Sequence, residues 1–502
     1  MKKIIIYLIL STCLTFFITC GLEDPTQPTV EGITSNQLVL LKMVAIGNSL
    51  TAGVQSAGLA HDFQVNSYPN LIARQMNPGN VFEQPLIDDP GLSNTPGVGV
   101  LDFVNGEIVP RGTYTNPMAL LLNALLPRPY DNLGIPGANV NEILNATSSA
   151  NGPTMTDLIL RNPNFANTTV WEQAKLLNPT LILLWVGNND VLGAATSGGD
   201  MDQLAPTAQF QSDLVTLLTE LAKIRDGNIG IIMANIFDVC DIAHVNLLDN
   251  LIYKTITLPN VGQVYLPVIF DNQFQPVDFD TTTGGELYLP LLTEEGILAG
   301  GSPVEHLLLP FLGEYSENGL GVPDSAALVP LLVGSGIPPQ MAPGMAKQLE
   351  LAMQAAGLKT SGIPIPVSLT LTAAETGTIQ TRVDELNQVL QGITSQQGIP
   401  LVDANNLLQQ LNSPSGYQGY SGKFVFFDPA NTAFSLDGIH PNNGGYALIA
   451  NAFIEKMNLF PDIDITPLDP AQFKGQYVGS QMNKISLEAA NQVKALFSRS
   501  KK

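Results

Sequence analysis

Apolar residues fall in short runs, each closed by Gly, Asn or Asp: Lys42–Ile46, Leu181–Val186, Ile229–Ala234 and Ile399–Val402. Short apolar runs bounded by turn formers are the pattern of strands buried on both faces, where parallel strands sit. Between them the spacing becomes helical, over Ser67–Met76, Phe210–Ile224 and Ile379–Ile393. Ser67 is placed to cap the first of these, with Pro69 tolerated in its opening turn. Strands alternating with helices predict a three-layer α/β/α sandwich with a mostly parallel sheet. Its ligands belong at the carboxyl ends of the strands.

The alternation stops between about residues 241 and 375, where Leu, Pro and Gly dominate in segments such as Leu287-Tyr288-Leu289-Pro290. This stretch reads as a large insertion, either a cap over the site or extra scaffold without substrate contact. The sheet-forming domain is then split into residues 39–240 and 376–460. A C-terminal tail, residues 461–502, carries a predicted helix over Ser486–Phe497.

The N-terminus begins with Lys2 and Lys3, continues as an apolar run from Ile4 to Ile18, and reaches Thr19-Cys20-Gly21. A charged region, a hydrophobic region too short to span a bilayer and a small-residue boundary are the parts of a secretion signal, residues 1–19. Phe17-Ile18-Thr19-Cys20 resembles a bacterial lipobox, which implies that Cys20 is acylated and becomes the first mature residue. Residues 20–38, polar and Pro-containing, read as a tether. Glu23 and Asp24 hint at sorting to an outer membrane, which places the protein in a Gram-negative cell envelope.

Composition narrows the partners. The chain has 502 residues, 45% hydrophobic and 13% charged, enough apolar content for a large core. Its net charge of −22 repels phosphate backbones, so nucleic acid is not an expected partner. With Cys13 in the signal and Cys20 acylated, the last of the three cysteines, Cys240, has no disulfide partner. No HExxH and no His/Cys/Asp cluster occurs, so neither a catalytic metal nor a cofactor is expected.

Histidine is the usual general base near neutral pH, and the chain has four: His61, His244, His306 and His440. His440 lies in Leu436-Asp437-Gly438-Ile439-His440-Pro441, where the aspartate three residues ahead can reach the imidazole and hold its tautomer. Asp241-Ile242-Ala243-His244 repeats that spacing, so spacing alone does not choose between them. His244 is expected at the mouth of the insertion, and the reactive residues in an open cleft.

Ile46-Gly47-Asn48-Ser49-Leu50-Thr51-Ala52-Gly53, directly after the first predicted strand, resembles the nucleophile block of the GDSL/SGNH hydrolases. Asn132-Leu133-Gly134-Ile135-Pro136-Gly137 and Gly187-Asn188-Asn189-Asp190 are similar to that family's glycine and Gly-x-Asn-Asp blocks, in the family's order. The family's aspartate and histidine follow its last strand, a position that His440 fits and His244 does not. The resemblance covers about residues 40–240 and 376–457. It implies Ser49 as nucleophile, His440 as base, Asp437 as its orienting carboxylate, and Ser49, Gly137 and Asn189 as the oxyanion hole. Asn48 departs from the family, standing where its aspartate would be.

The function so implied is a serine esterase cleaving carboxylic esters through an acyl-enzyme. The Leu-rich insertion favours lipid or fatty-acyl esters. The alternatives are an O-acetyl esterase acting on glycans and a catalytically silent, surface-anchored binding protein on the same fold. The implied partners are the ester substrate and the membrane that holds the lipid anchor.

Overall fold

The four apolar runs form strands, and a fifth, which periodicity did not mark, joins them. The structure, a computed structural model, describes residues 35–76, 81–248, 251–258, 262–279, 285–296, 303–477 and 483–496. The signal segment, Cys20 and most of the tether lie outside those residues.

The strands are β1 (Met43–Gly47), β2 (Asn132–Gly134), β3 (Leu181–Trp185), β4 (Gly230–Ala234) and β5 (Leu401–Val402). They pair in parallel throughout, in the order β2-β1-β3-β4-β5. Every residue of β1 and β3 is buried, as continuous apolar strands in a parallel sheet should be. β2 has three residues, and its register sets Leu133 beside Ile46. From β1 the chain goes to one neighbour, β2, and later returns on the other side as β3. That reversal makes the carboxyl ends of β1 and β3 the topological switch point, the place where open α/β sheets bind ligands.

Six helices bear on the site: α1 (Ser49–Ala52), α2 (Tyr68–Met76), α3 (Val170–Leu177), α4 (Thr207–Ala222), α5 (Ala373–Gln397) and α6 (Asn443–Met457). α2 packs on α6, while α4 packs on α3 and α5. α5 exceeds the stretch that periodicity predicted. Its buried Ile379, Val383, Leu386, Leu390 and Ile393 mark only the middle, whereas a Thr372–Glu375 capping box and Gly398 in the left-handed region set its ends. Ser67 precedes α2, and its hydroxyl donates to Gln84 Oε1 at 2.8 Å.

The structure adds detail in three further places, and the helix expected over Ser486–Phe497 is present as Leu487–Ala495. The tether does not run unstructured to residue 38: Ser35–Val39 is helical, and Asn36 and Gln37 donate side-chain N–H groups to the carbonyls of Pro461 and Asp462. The 241–375 stretch has regular structure that its composition hid. It holds an antiparallel hairpin, Tyr253–Leu258 with Gly262–Pro267, and helices Phe311–Asn318, Ser325–Gly334 and Ala342–Ala355. Its Val304–Leu307 strand pairs with Thr370–Thr372, and its core side chains belong to the same hydrophobic cluster as the sheet. The tail, too, is built into the body. Lys484–Ile485 extends a small sheet with Glu107–Pro110 and Leu101–Val104, and Ser486 caps Leu487–Ala495.

Candidate active site

β1 ends at Gly47, and Asn48 turns the chain into α1 by accepting the Leu50 N–H on its side-chain oxygen at 3.1 Å. An asparagine oxygen caps a helix start as a carboxylate would. Ser49 is the first helical residue. Two glycines let α1 sit close on the strand ends. A Cβ at Gly47 would lie 2.1 Å from Thr51 Oγ1, and one at Gly134 would lie 2.4 Å from the Ala52 nitrogen.

After β2 the chain makes a type II turn over Ile135-Pro136-Gly137-Ala138. Proline stands at its second position, Gly137 has φ +84, and the Ala138 N–H reaches the Ile135 carbonyl at 3.1 Å. After β3, Asn189 lies in a single 3₁₀ turn, Asn188–Asp190. Its Nδ2 donates to the Ala138 carbonyl at 2.9 Å, and Asp190 Oδ2 accepts the Val140 N–H at 3.1 Å. The glycine and Asn-Asp blocks, far apart in sequence, are thus fastened to one another. One amide proton of Asn189 is spent on that link and the second remains.

Asp437 is wholly buried and carries the densest hydrogen bonding of the site. Its Oδ2 meets His440 Nδ1 at 2.9 Å and the Ala57 N–H at 2.8 Å. Its Oδ1 accepts from the backbone N–H groups of Ile439 and His440, both at 2.9 Å, and from the Ser435 hydroxyl at 3.1 Å. Burial pushes this carboxyl up, but the His440 imidazole and the N–H groups of His440 and Ile439 outweigh it and hold it down at about 2. It therefore stays ionised at neutral pH, able to fix His440 with Nε2 facing away.

The segment that follows Ser49 is tied to this turn. Besides the Ala57 bond, Ser56 N–H donates to Ser435 Oγ at 2.9 Å, and Tyr446 OH donates to the Val54 carbonyl at 2.7 Å. Leu50, after Ser49, and Ile439 and Pro441, on either side of His440, line one apolar cavity of about 50 Å³ with Trp185, Phe237 and Phe434. Ser49 and His440 do not lie in an open cleft. Ser49 is 6% exposed and His440 is 3% exposed. No hydrogen bond joins Ser49 to His440, whose Nε2 is buried without a partner. Catalytic hydrogen bonds in unliganded enzymes are often long and tighten with substrate.

His244 is not at an open mouth. It is 1% exposed, and its ring nitrogen Nδ1 lies 3.3 Å from the main-chain carbonyl of Asp437. The histidine of the second Asp-x-x-His copy therefore rests against the backbone of the first. His61 is exposed on a short helix, and His306 sits beside Glu305 in the insertion. Among the described residues no group of three or more His, Cys, Asp or Glu could hold a metal ion. Ser56, Ala57 and Ser435 escaped the sequence reading. A backbone N–H carries no residue signal, and Ser435 two residues before Asp437 is too common a pair to be noticed. No family model matches the chain, and neither does any curated protein or solved structure.

Proposed function

We propose that the chain is a serine esterase of the GDSL/SGNH type, its sheet and helices forming the three-layer α/β/α sandwich of that family. The observation that carries this reading is the buried Asp437–His440 pair at 2.9 Å, bound through Ala57 to the segment that follows Ser49. His440 Nε2 takes the Ser49 hydroxyl proton as Oγ bonds to the ester carbonyl carbon. The oxyanion so formed faces the N–H groups of Ser49 and Gly137 and the second amide proton of Asn189. Loss of one such donor costs on the order of 3 kcal/mol. As the carbonyl reforms, the alcohol leaves with the proton from His440. Water then repeats the sequence, releasing the acid and restoring Ser49. No cofactor or metal takes part.

The substrate is a carboxylic ester, either a lipid or fatty-acyl ester or an O-acetylated glycan. The cavity lined by Leu50, Ile439 and Pro441, the sequence neighbours of Ser49 and His440, is apolar, as an acyl group requires. Acylation of Cys20 would hold the enzyme in the cell envelope, at the outer membrane of a Gram-negative bacterium. Among the described residues no helix is long and apolar enough to cross a membrane.

Labelling with a serine-reactive phosphonate tests the reading. We expect one adduct, on the peptide containing Ser49, absent in Ser49→Ala. Hydrolysis of nitrophenyl esters from acetate to laurate should fall at least about 10³-fold in Ser49→Ala and in His440→Ala. A wild-type protein that neither labels nor hydrolyses any of these esters would instead be the silent binding protein.

A further inference from the structure

A second histidine stands behind the Asp437–His440 turn, and the proposed reaction does not use it. His244 Nδ1 lies 3.3 Å from the Asp437 carbonyl, while its own N–H donates to the Gly438 carbonyl at 2.8 Å. Its carbonyl accepts from the Leu309 N–H at 3.0 Å, just beyond the insertion strand Val304–Leu307. The turn presses directly on this segment, since a Cβ at Gly438 would lie 2.9 Å from the His244 nitrogen.

A carbonyl can only accept, so the contact requires the proton on Nδ1 and leaves Nε2 as a bare lone pair. That Nε2 is buried without a partner. An orphaned polar atom costs stability, and a leucine would fill much of the space without one. What the imidazole adds is its donor to Asp437. The carboxylate oxygens of Asp437 are held by five hydrogen bonds, but they point correctly only if the main chain that carries them does not rotate.

We propose that His244 is a positioning residue for the hydrolysis described above, on which this inference rests. Its Nδ1–H holds the Asp437 carbonyl and so sets the direction in which the carboxylate meets His440. Through the Leu309 contact the insertion shares this task, so it supports catalysis as well as any choice of substrate.

Three variants of the full chain test it. In His244→Asn an amide N–H replaces Nδ1–H; in His244→Gln the amide lies one bond further out, in the place of Nε2; His244→Leu has no donor. We expect His244→Leu and His244→Gln to lose about 10²-fold in kcat on a short-chain ester, with KM moving less than about threefold. His244→Asn should keep kcat within about fivefold. A packing role alone would make kcat follow melting temperature, whereas here His244→Leu melts no lower than His244→Asn and still turns over more slowly. A folded His244→Leu with wild-type kcat, or a His244→Asn as slow as His244→Leu, overturns the proposal. Should the variants not fold, the ¹⁵N shifts of His244 in the wild-type protein decide, and a proton on Nε2 rejects it. A wild type that hydrolyses no ester and does not label at Ser49 removes the hydrolase reading itself. An active wild type beside an equally active His244→Leu removes only the role of His244.

Discussion

The backbone N–H of Ala57 donates to Oδ2 of Asp437 at 2.8 Å, across 380 residues of sequence. This is the oxygen that also meets His440 Nδ1 at 2.9 Å. The chain that leaves α1 and the His440 imidazole thus share a single acceptor, and moving either displaces the other.

Asp437→Asn tests that sharing. An amide keeps the size but has one oxygen for two clusters of donors, so N–H must face N–H on one side. In serine hydrolases the equivalent change leaves His in the wrong tautomer and lowers kcat by about 10⁴-fold. We expect a loss of that order here, together with a lower melting temperature, since hydrogen bonds to a charged group are worth about 1.5–3 kcal/mol each. An Asn variant with near-normal turnover of a short-chain ester would show that Asp437 does not orient His440.

Acid should destabilise the fold in two stages. Burial holds the His244 imidazole down at about 4, from its ordinary 6.5, against a weaker upward pull from Asp437. The unfolded chain therefore binds that proton more readily, so the stability gained by keeping His244 neutral is complete above about pH 6.5 and is lost as pH falls to about 4. Asp437, held at about 2 against 3.8, contributes above 3.8 and loses its contribution as pH falls towards 2. Urea unfolding followed from pH 8 to 3 should show His244→Leu lacking the upper stage, worth at most about 3 kcal/mol, and keeping the start of the lower. Parallel curves for wild type and variant would contradict this.

Gly134→Ala probes the seat of α1. The added Cβ would stand 2.4 Å from the Ala52 nitrogen and 2.8 Å from the Asn48 carbonyl, both backbone atoms. α1 must shift, and with it Ser49. Overpacking of this kind costs about 1–3 kcal/mol, and under the proposed mechanism a displaced Ser49 costs about 10²-fold in rate. Chemical denaturation and kcat should both register the change, whereas Gly377→Ala, inside α5 with nothing near its Cβ, should leave kcat unchanged and raise stability by about 0.5–1 kcal/mol.

The apolar cavity should set acyl length. Ala404 lines it together with Leu50, and Ala404→Val narrows it by two methyl groups. Turnover of butyrate and longer esters should fall relative to acetate by about tenfold, the effect of about 1.4 kcal/mol on the barrier. An unchanged acyl-length profile would place the acyl group elsewhere.

The local properties of this chain determined a good deal by themselves. Length of apolar run located β1, β3, β4 and β5, because a strand buried on both faces needs no partner to show its pattern. Helical spacing located α2, α4 and the middle of α5. The turn formers Gly47-Asn48 before Ser49 and Pro136 before Gly137 could be read directly. β2 could not, since three residues are too few to carry a period, and the insertion's helices were masked by Pro330 and by runs of small residues.

Only the tertiary structure decided how the pieces meet. Asp437-x-x-His440 and Asp241-x-x-His244 have the same spacing, yet in one the carboxylate holds the imidazole and in the other the histidine turns to the main-chain carbonyl of Asp437. The bonds of Ala57 and Ser56 to the Asp437 turn, and of Asn189 to Ala138, were equally invisible. The reason is physical. Periodicity and capping are satisfied within a few neighbouring residues, but a buried carboxylate or carbonyl takes whichever donor the packing of distant segments brings within about 3 Å, and nothing local records which one that is.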